Sequence, residues 1–165
     1  MKEKEISFED RKDFAVKITD KEVRTLLDEI LELVFQIQVD SNYFLDNVIK
    51  VYACDYIDAD AIFTERIYFN TSGIYQILGN MSVDNVIFKI DINVLRTALK
   101  NILADFKELS SNVVNFICIS NFSESDIIKK CNEVLETGFK AYEKKYDEIN
   151  HILNEKEKLL DVTGI

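Results

Sequence analysis

The pattern of apolar and polar positions begins with a clear helix near residue 19. Thr19 is a favourable N-cap, Glu22 follows three residues later, and Ile18 can contact Val23 as a hydrophobic staple. Apolar residues then recur every three or four positions, which is the spacing of one helix face. These positions are Val23, Leu26, Leu27, Ile30, Leu33, Val34 and Ile37. The preceding residues, 1–17, mix charged and apolar side chains and predict either a frayed arm or an edge strand.

Residues 43–91 have a different texture. β-Branched and aromatic residues dominate, and turn-forming residues interrupt them about every ten positions. We interpret the segment as an antiparallel meander, because connections this short cannot carry the crossovers of a parallel sheet. The predicted strands are at about 47–57, 61–69, 73–78 and 84–91. The alternative for residues 43–50 is a helical segment.

A second helix is predicted at about 92–108, with Asp91 as its N-cap. Residues 110–112 then favour a turn, and the nearly continuous apolar run 113–119 is typical of a central strand buried on both faces. The predicted fold class is therefore α+β. It comprises an N-terminal helix, a β-meander, a second helix, one further strand and a long C-terminal helix.

The last quarter of the chain predicts one amphipathic helix from Ser123 to about Asp161. Its heptad stripe comprises Ile128, Leu135, Phe139, Tyr142, Tyr146, Ile149, Leu153 and Leu160. Such a helix would be about 57 Å long, whereas a compact chain of this size has a radius of gyration of about 15 Å. The C-terminal part of this helix should therefore extend beyond the body of the chain and require a partner to cover it. The alternative is that the helix packs along its own sheet.

Gly138 is the weak point of this helix, since glycine costs about 1 kcal/mol in a helix interior. The heptad phase continues from Leu135 to Phe139 and favours a continuous helix. We divide the chain into a compact α+β body, 1–122, and a helix, 123–165, that is partly available to a partner. The predicted partner-binding residues of the helix are Phe139, Tyr142, Tyr146, Ile149, Leu153 and Leu160.

Charge narrows the class of partner. The 165-residue chain has a net charge of −10, and residues 40–91 contribute half of it, with 8 acids and 3 bases. This distribution disfavours direct binding of nucleic acid or an anionic membrane and favours a basic protein. The predicted acidic docking residues are Asp55, Asp58, Asp60 and Glu65. They do not match a calcium loop from Asp58, because Phe63 stands where glycine is required.

Candidate catalytic groups are few. His151 lies on the polar face of the predicted helix, where spacing provides no acid–base partner. Cys54, Cys118 and Cys131 form no C-x-x-C pair and are expected to be reduced thiols. No motif for a phosphate, metal or other cofactor is present. The sequence also lacks a stretch of about 18 apolar residues and a signal-peptide core, which predicts a cytoplasmic location.

These observations favour a non-enzymatic protein-binding module. It would act as an inhibitor, an immunity or antitoxin-type protein, or an accessory subunit, by occupying a partner's basic surface. The C-terminal helix would supply homo-oligomerisation. Two alternatives stay open: a small acidic chaperone or scaffold for a client protein, and a hydrolase that depends on a divalent cation.

Overall fold

The computed structural model describes residues 15–44, 46–47, 57–119 and 125–163, and this part of the chain is almost entirely helical. The helices are α1 (Asp20–Phe44), α2 (Ile57–Asp84), α3 (Lys89–Ile119), α4 (Ser125–Glu133) and α5 (Phe139–Thr163). A π-helical turn, Val134–Gly138, joins α4 to α5, so the chain remains helical through Gly138. Two short strands, β1 (Ala15–Lys17) and β2 (Val86–Phe88), pair antiparallel with Val16 opposite Ile87.

The long helices pack as an antiparallel bundle. α2 and α3 follow each other through a tight connection and form the most extensive helix contact. α5 runs antiparallel to α1, because Tyr142 meets Asp40 near one end and Lys156 meets Glu22 near the other. α5 also contacts α3 along its length. The helices therefore alternate in direction around one shared core.

The α2–α3 connection is fastened to the start of α1. Asn85 adopts a left-handed backbone conformation, with φ of 53°, which asparagine tolerates better than most residues. Its carbonyl accepts a hydrogen bond from the Ile18 N–H at 2.8 Å. Its side-chain amide donates to Asp20 Oδ1 at 2.6 Å. This one residue thus fastens the end of α2 to the start of α1.

The centre of the core is aromatic. Phe106 of α3 is fully buried and lies at ring-centroid distances of 6.1 Å from Phe44 and 6.5 Å from Phe139. Tyr142 meets the same ring edge-on at 5.6 Å. Such aromatic pairs add about 0.5–1.5 kcal/mol each beyond the area they bury. Phe106 therefore joins α1, α3 and α5 at one point.

The prediction of an α+β fold is wrong. The strands predicted at 61–69 and 73–78 lie inside α2, and within the described residues only Val86–Phe88 of the predicted meander is a strand. β-Branched residues did not decide the structure, because their spacing buries one helix face. That buried face comprises Ile67, Thr71, Ile74, Leu78 and Met81.

The apparent turn at residues 70–73 is helical for a local reason. Asn70, Thr71 and Ser72 each donate a side-chain hydrogen bond to the carbonyl four residues earlier, at 3.0, 2.7 and 3.1 Å. Asn, Thr and Ser favour turns when their side chains replace backbone hydrogen bonds of a helix. In α2 they instead donate to helical carbonyls and leave the helix intact. The sequence composition of a turn is therefore compatible with an uninterrupted helix.

The strand predicted at 113–119 is also wrong, because α3 continues to Ile119. The expected break at residues 110–112 is absorbed when the Ser110 hydroxyl donates to the Phe106 carbonyl at 2.7 Å. α3 begins at Lys89, so Asp91 lies in its first turn and does not cap it. A continuous apolar run cannot by itself distinguish a buried strand from a buried helix end.

One prediction at the N-terminal end is confirmed. The Glu22 N–H donates to Thr19 Oγ1 at 3.2 Å, which makes Thr19 the N-cap of α1. Of the segment predicted as a frayed arm or an edge strand, residues 15–17 form a strand and residues 1–14 lie outside the described residues. The Thr19 cap is predictable because it depends on neighbouring residues alone.

Phe106→Ala should lower the free energy of unfolding by about 3–5 kcal/mol, since it removes the ring that contacts three helices and leaves a cavity. Phe35→Ala is the matched control: Phe35 is 63% exposed, and its loss should change stability by no more than about 0.5 kcal/mol. Urea denaturation followed by circular dichroism measures both values. Equal effects of the two substitutions would contradict the central role of Phe106. If Phe106→Ala does not fold, Phe106→Leu provides the same comparison.

Candidate partner-binding surface

The C-terminal helix residues predicted to bind a partner lie largely within the chain's own core. Tyr142, Ile149 and Leu153 are buried, and Phe139 and Tyr146 pack half-buried against the same core. The side chain of Leu160 lies outside the described residues. The body is not as short as the expected radius of gyration suggests, since α3 alone has 31 residues and is about 46 Å long. α5, with 25 residues, therefore finds cover along its own bundle.

Both halves of the C-terminal helix face the core, on either side of the π-helical turn. Cys131 is buried before the turn, Val134 at its first residue, and Tyr142, Ile149 and Leu153 after it. The turn adds one residue to the regular helical repeat, as π-bulges do. Gly138 lies at its end.

A buried polar cluster locks this junction onto α1. Asp40 is buried and accepts a short hydrogen bond from the Tyr142 hydroxyl. Gln36 Nε2 lies 3.5 Å from Asp40 Oδ1, and Lys130 Nζ lies 3.8 Å from the same oxygen. Burial, the hydrogen bond to Asp40 and its charge all raise the pKa of Tyr142. Tyr142 therefore stays protonated as a donor, which stabilises a carboxylate that is costly to bury unpaired.

Ion pairs continue the contact along α5. Lys145 lies 3.0 Å from Glu29 and 2.9 Å from Glu32. The hydrogen bond to Glu32 is the main cause of a raised Lys145 pKa, and the hydrogen bond to Glu29 adds to it. Arg96 donates to Asn154 and Glu157 at 2.6 and 2.7 Å, and its third partner is Asn150 at 2.9 Å. These contacts fix α5 on α1 and α3, so the charges here are structural.

Three of the four predicted acidic docking residues, Asp58, Asp60 and Glu65, fall on one helix and not on a turn between strands. Asp58 and Asp60 belong to the first turn of α2, and Glu65 is exposed on the same helix. The side chains of Asp58 and Asp60, and all of Asp55, lie outside the described residues. Their sequence positions place acidic residues at the N-terminal end of α2.

The remaining reactive groups are isolated. The His151 side chain is 77% exposed, as predicted for a surface residue, and its nearest acid is Glu155 at 3.9 Å. Cys131 is a buried free thiol, and burial raises its pKa to about 11, which makes it a poor nucleophile. No cluster of three or more His, Cys, Asp or Glu side chains suited to a metal occurs within the described ranges.

The most distinctive surface is on α2. Residues 67–83 contain no charged side chain over seventeen positions, in a chain with 30% charged residues. Large apolar side chains nevertheless face solvent here: Phe69 is 79% exposed and Val83 is 81% exposed. Ile62, Tyr68 and Tyr75 are exposed on the same helix. Since large exposed apolar patches mark interaction sites, this helix is the best candidate for one.

The neighbouring part of α3 extends this surface without adding charge. Ile90 and Val94 are exposed, and with Asn70 of α2 they border a groove of about 280 Å³. Its remaining lining residues are Asn93, Thr97, Ala98 and Asn101. We call these groove residues and the exposed face of α2 from Tyr68 to Val83 the uncharged α2–α3 surface.

Two glycines in this surface are not required by the chain's own packing. A Cβ atom added to Gly73 or Gly79 would meet no atom within 4 Å. Neither residue has a left-handed backbone conformation. Glycine in a helix interior costs about 0.5–1 kcal/mol relative to alanine. The fold of the single chain therefore gives no reason for either glycine.

The sequence carried a clear indication of this surface in the absence of charge from 67 to 83. The same residues were interpreted as strands, and alternating strand faces place half of such side chains in a core. The acidic total for residues 40–91 also obscured the neutral stretch inside that range. Counting charge over short windows of the sequence distinguishes the neutral stretch from the acidic residues around it.

Comparison with protein-family models, curated proteins and solved structures gives no significant match. Within the described ranges, no helix is both long and apolar enough to cross a membrane. The interpretation of the surface therefore rests on its own chemistry.

Gly73→Ala and Gly79→Ala should each raise the free energy of unfolding by about 0.5–1 kcal/mol, because alanine restricts the unfolded chain and its methyl group enters open space. Chemical denaturation at a concentration where the chain is monomeric measures the effect. A loss of stability in either variant would mean that the added methyl group is not accommodated.

Tyr142→Phe should lower the free energy of unfolding by about 1–3 kcal/mol, because buried Asp40 loses its closest donor. The double variant Tyr142→Phe with Asp40→Leu should cost less than the sum of the two single changes, since no carboxylate is then left without its donor. Urea denaturation of all four proteins completes the cycle. Strictly additive effects would show that the two side chains are not coupled.

Proposed function

We propose that this protein is a non-enzymatic protein-binding module whose uncharged α2–α3 surface occupies a partner protein. The observation that carries the proposal is the exposure of Phe69 and Val83 within a seventeen-residue stretch without charge. Keeping such side chains in water gives no stability to the single chain, because the hydrophobic effect rewards only their removal from it. A partner that covers these side chains removes them from water, and this burial stabilises the complex.

The composition of the surface resembles the centre of an interface. Exposed aromatic residues anchor many binding sites, and charged residues are depleted from the centres of interfaces. Phe69, Tyr68 and Tyr75 supply the aromatic residues. Asn and Thr side chains of the α3 groove can form hydrogen bonds without the cost of burying a charge.

The partner's chemistry follows from this composition. An apolar or uncharged helical face would bind better than a basic one, because no carboxylate lies between positions 67 and 83 to pair with a base. Acidic residues at the N-terminal end of α2, including Glu65, would form a rim. A rim of charge favours rapid encounter with a complementary rim more than it adds affinity. We place this activity in the cytoplasm, where the buried thiol of Cys131 stays reduced.

An acidic chaperone or scaffold is the second candidate, because exposed aromatic side chains also bind unfolded clients. The two differ in selectivity. A docking module binds one folded partner, whereas a chaperone suppresses aggregation of unrelated unfolded proteins. Protection of several unrelated clients by the purified chain, lost in Phe69→Glu, would favour the chaperone.

Photo-cross-linking tests the proposed surface directly. The photoreactive analogue p-benzoylphenylalanine replaces Phe69 in one variant and Phe35 in another, and each is expressed in cells that make this protein. Both positions are exposed phenylalanines within helices, at 79% and 63%. Irradiation should give a discrete protein adduct from position 69 and little or none from position 35, when measured by immunoblotting.

The matched position makes a negative result informative. The same adducts from both positions would indicate non-specific capture, and no adduct from position 69 would contradict a protein-binding role for this surface. Mass spectrometry of a specific adduct distinguishes a second copy of this chain from another protein.

A further inference from the structure

We propose that the partner at the uncharged α2–α3 surface is a second copy of this chain, packed antiparallel along α2. This inference rests on the proposed function, because it names the occupant of the same surface. It also moves self-association from the C-terminal helix, whose apolar stripe is largely buried, to α2.

Charge is the first argument. Each chain has a net charge of −10, so two copies repel one another unless the contact excludes like charges. The exposed face of α5 carries charge at many positions, among them Lys140, Glu143, Lys144, Asp147 and Glu148. From position 67 to 83, α2 carries none. Two copies can therefore meet along α2 without opposing carboxylates in the centre of the contact.

Spacing is the second argument. Ile62, Phe69, Gln76 and Val83 recur every seven residues and are all exposed, so they form one line along α2. The adjacent line, three residues later in each repeat, contains Glu65, Ser72 and Gly79, which are also exposed. Two lines at this spacing form the seam of a helix pair. Small residues in one of them allow the partner's large side chains to enter.

Shape is the third argument, and it determines direction. A two-fold axis that crosses α2 at the height of Ile74 places Phe69 and Gly79 five residues to either side. In an antiparallel pair, Phe69 of each copy then lies opposite Gly79 of the other. The open space beside Gly79 receives a phenyl ring, and this explains a glycine that the single chain does not need. Self-complementary contact of this kind is what a two-fold interface requires.

The available surface is large enough for a stable pair. α2 from Ile62 to Val83 is about 32 Å long. Helices pack about 10 Å apart, so a face two helices wide, α2 with the exposed residues of α3, covers roughly 600 Å² in projection. Standard interfaces bury about 800 Å² of accessible surface per partner, which exceeds projected area because side chains interlock. Ile90 and Val94 lie on the α3 part of that face.

Solution mass tests the inference. Light scattering of the full chain should show a mass approaching twice 19.2 kDa as concentration rises. Phe69→Glu should weaken association by at least about tenfold, which corresponds to about 1.4 kcal/mol. Gly79→Leu should do the same, although its side chain enters open space in the single chain and leaves the fold intact. Phe35→Glu, the control on α1, should leave the mass unchanged. Circular dichroism verifies that each variant is folded.

Three results would overturn the inference. One is a light-scattering mass equal to that of a single chain at every concentration of the unmodified protein. In that case, a specific adduct between position 69 and a different protein would still support the proposed function. Another is a dimer that survives both Phe69→Glu and Gly79→Leu. The third is a dimer lost in Phe35→Glu and retained in Phe69→Glu.

Cysteine pairing tests the direction. A mixture of Phe69→Cys and Gly79→Cys chains should form a mixed disulfide dimer above the level that the unmodified chain shows. Gly79→Cys alone should not, because the two positions 79 lie about 15 Å apart along an antiparallel pair, and disulfides need Cα atoms within about 7 Å. Efficient cross-linking of Gly79→Cys to itself would indicate a parallel pair and contradict the antiparallel arrangement.

Discussion

The packing of α5 around Phe106 is the constraint on which the rest of the structure depends. The ring joins α1 and α3 to the start of α5, and Tyr142 ties that point to Asp40 through a buried hydrogen bond. Once this junction is set, the ion pairs of Lys145 and Arg96 hold the remainder of α5 against α1 and α3. The apolar stripe of the C-terminal helix is therefore used largely inside the chain.

The junction directly follows an irregular turn. Val134, the first residue of the π-helical turn, and Tyr142, four residues beyond its end, are both buried. The residues of this junction are not part of the uncharged α2–α3 surface. The packing of the C-terminal helix therefore does not constrain which side chains that surface exposes.

Local features were predictable from the sequence, and tertiary features were not. The Thr19 cap and the periodic apolar faces of α1 and α3 depend on near neighbours and match the structure. The meander failed because Ile67, Ile74 and their neighbours have high β propensity, while burial of their helical face decides the conformation. The uncharged α2–α3 surface is not visible in the sequence for the same reason: Phe69 and Val83 lie on one exposed face only when residues 57–84 form one helix.

The distribution of charge connects these findings. Glutamates of α1 form ion pairs with lysines of α5. The exposed face of α5 remains charged. On α2 the polar residues of the exposed face carry no charge from position 67 to 83, and the Ser72 hydroxyl donates to the Tyr68 carbonyl of the same helix. An acidic chain gains nothing in solubility from such a stretch, and a helix gains nothing from Gly79. Both features become favourable when another helix lies against them, because burial then costs no charge desolvation and the glycine allows close approach.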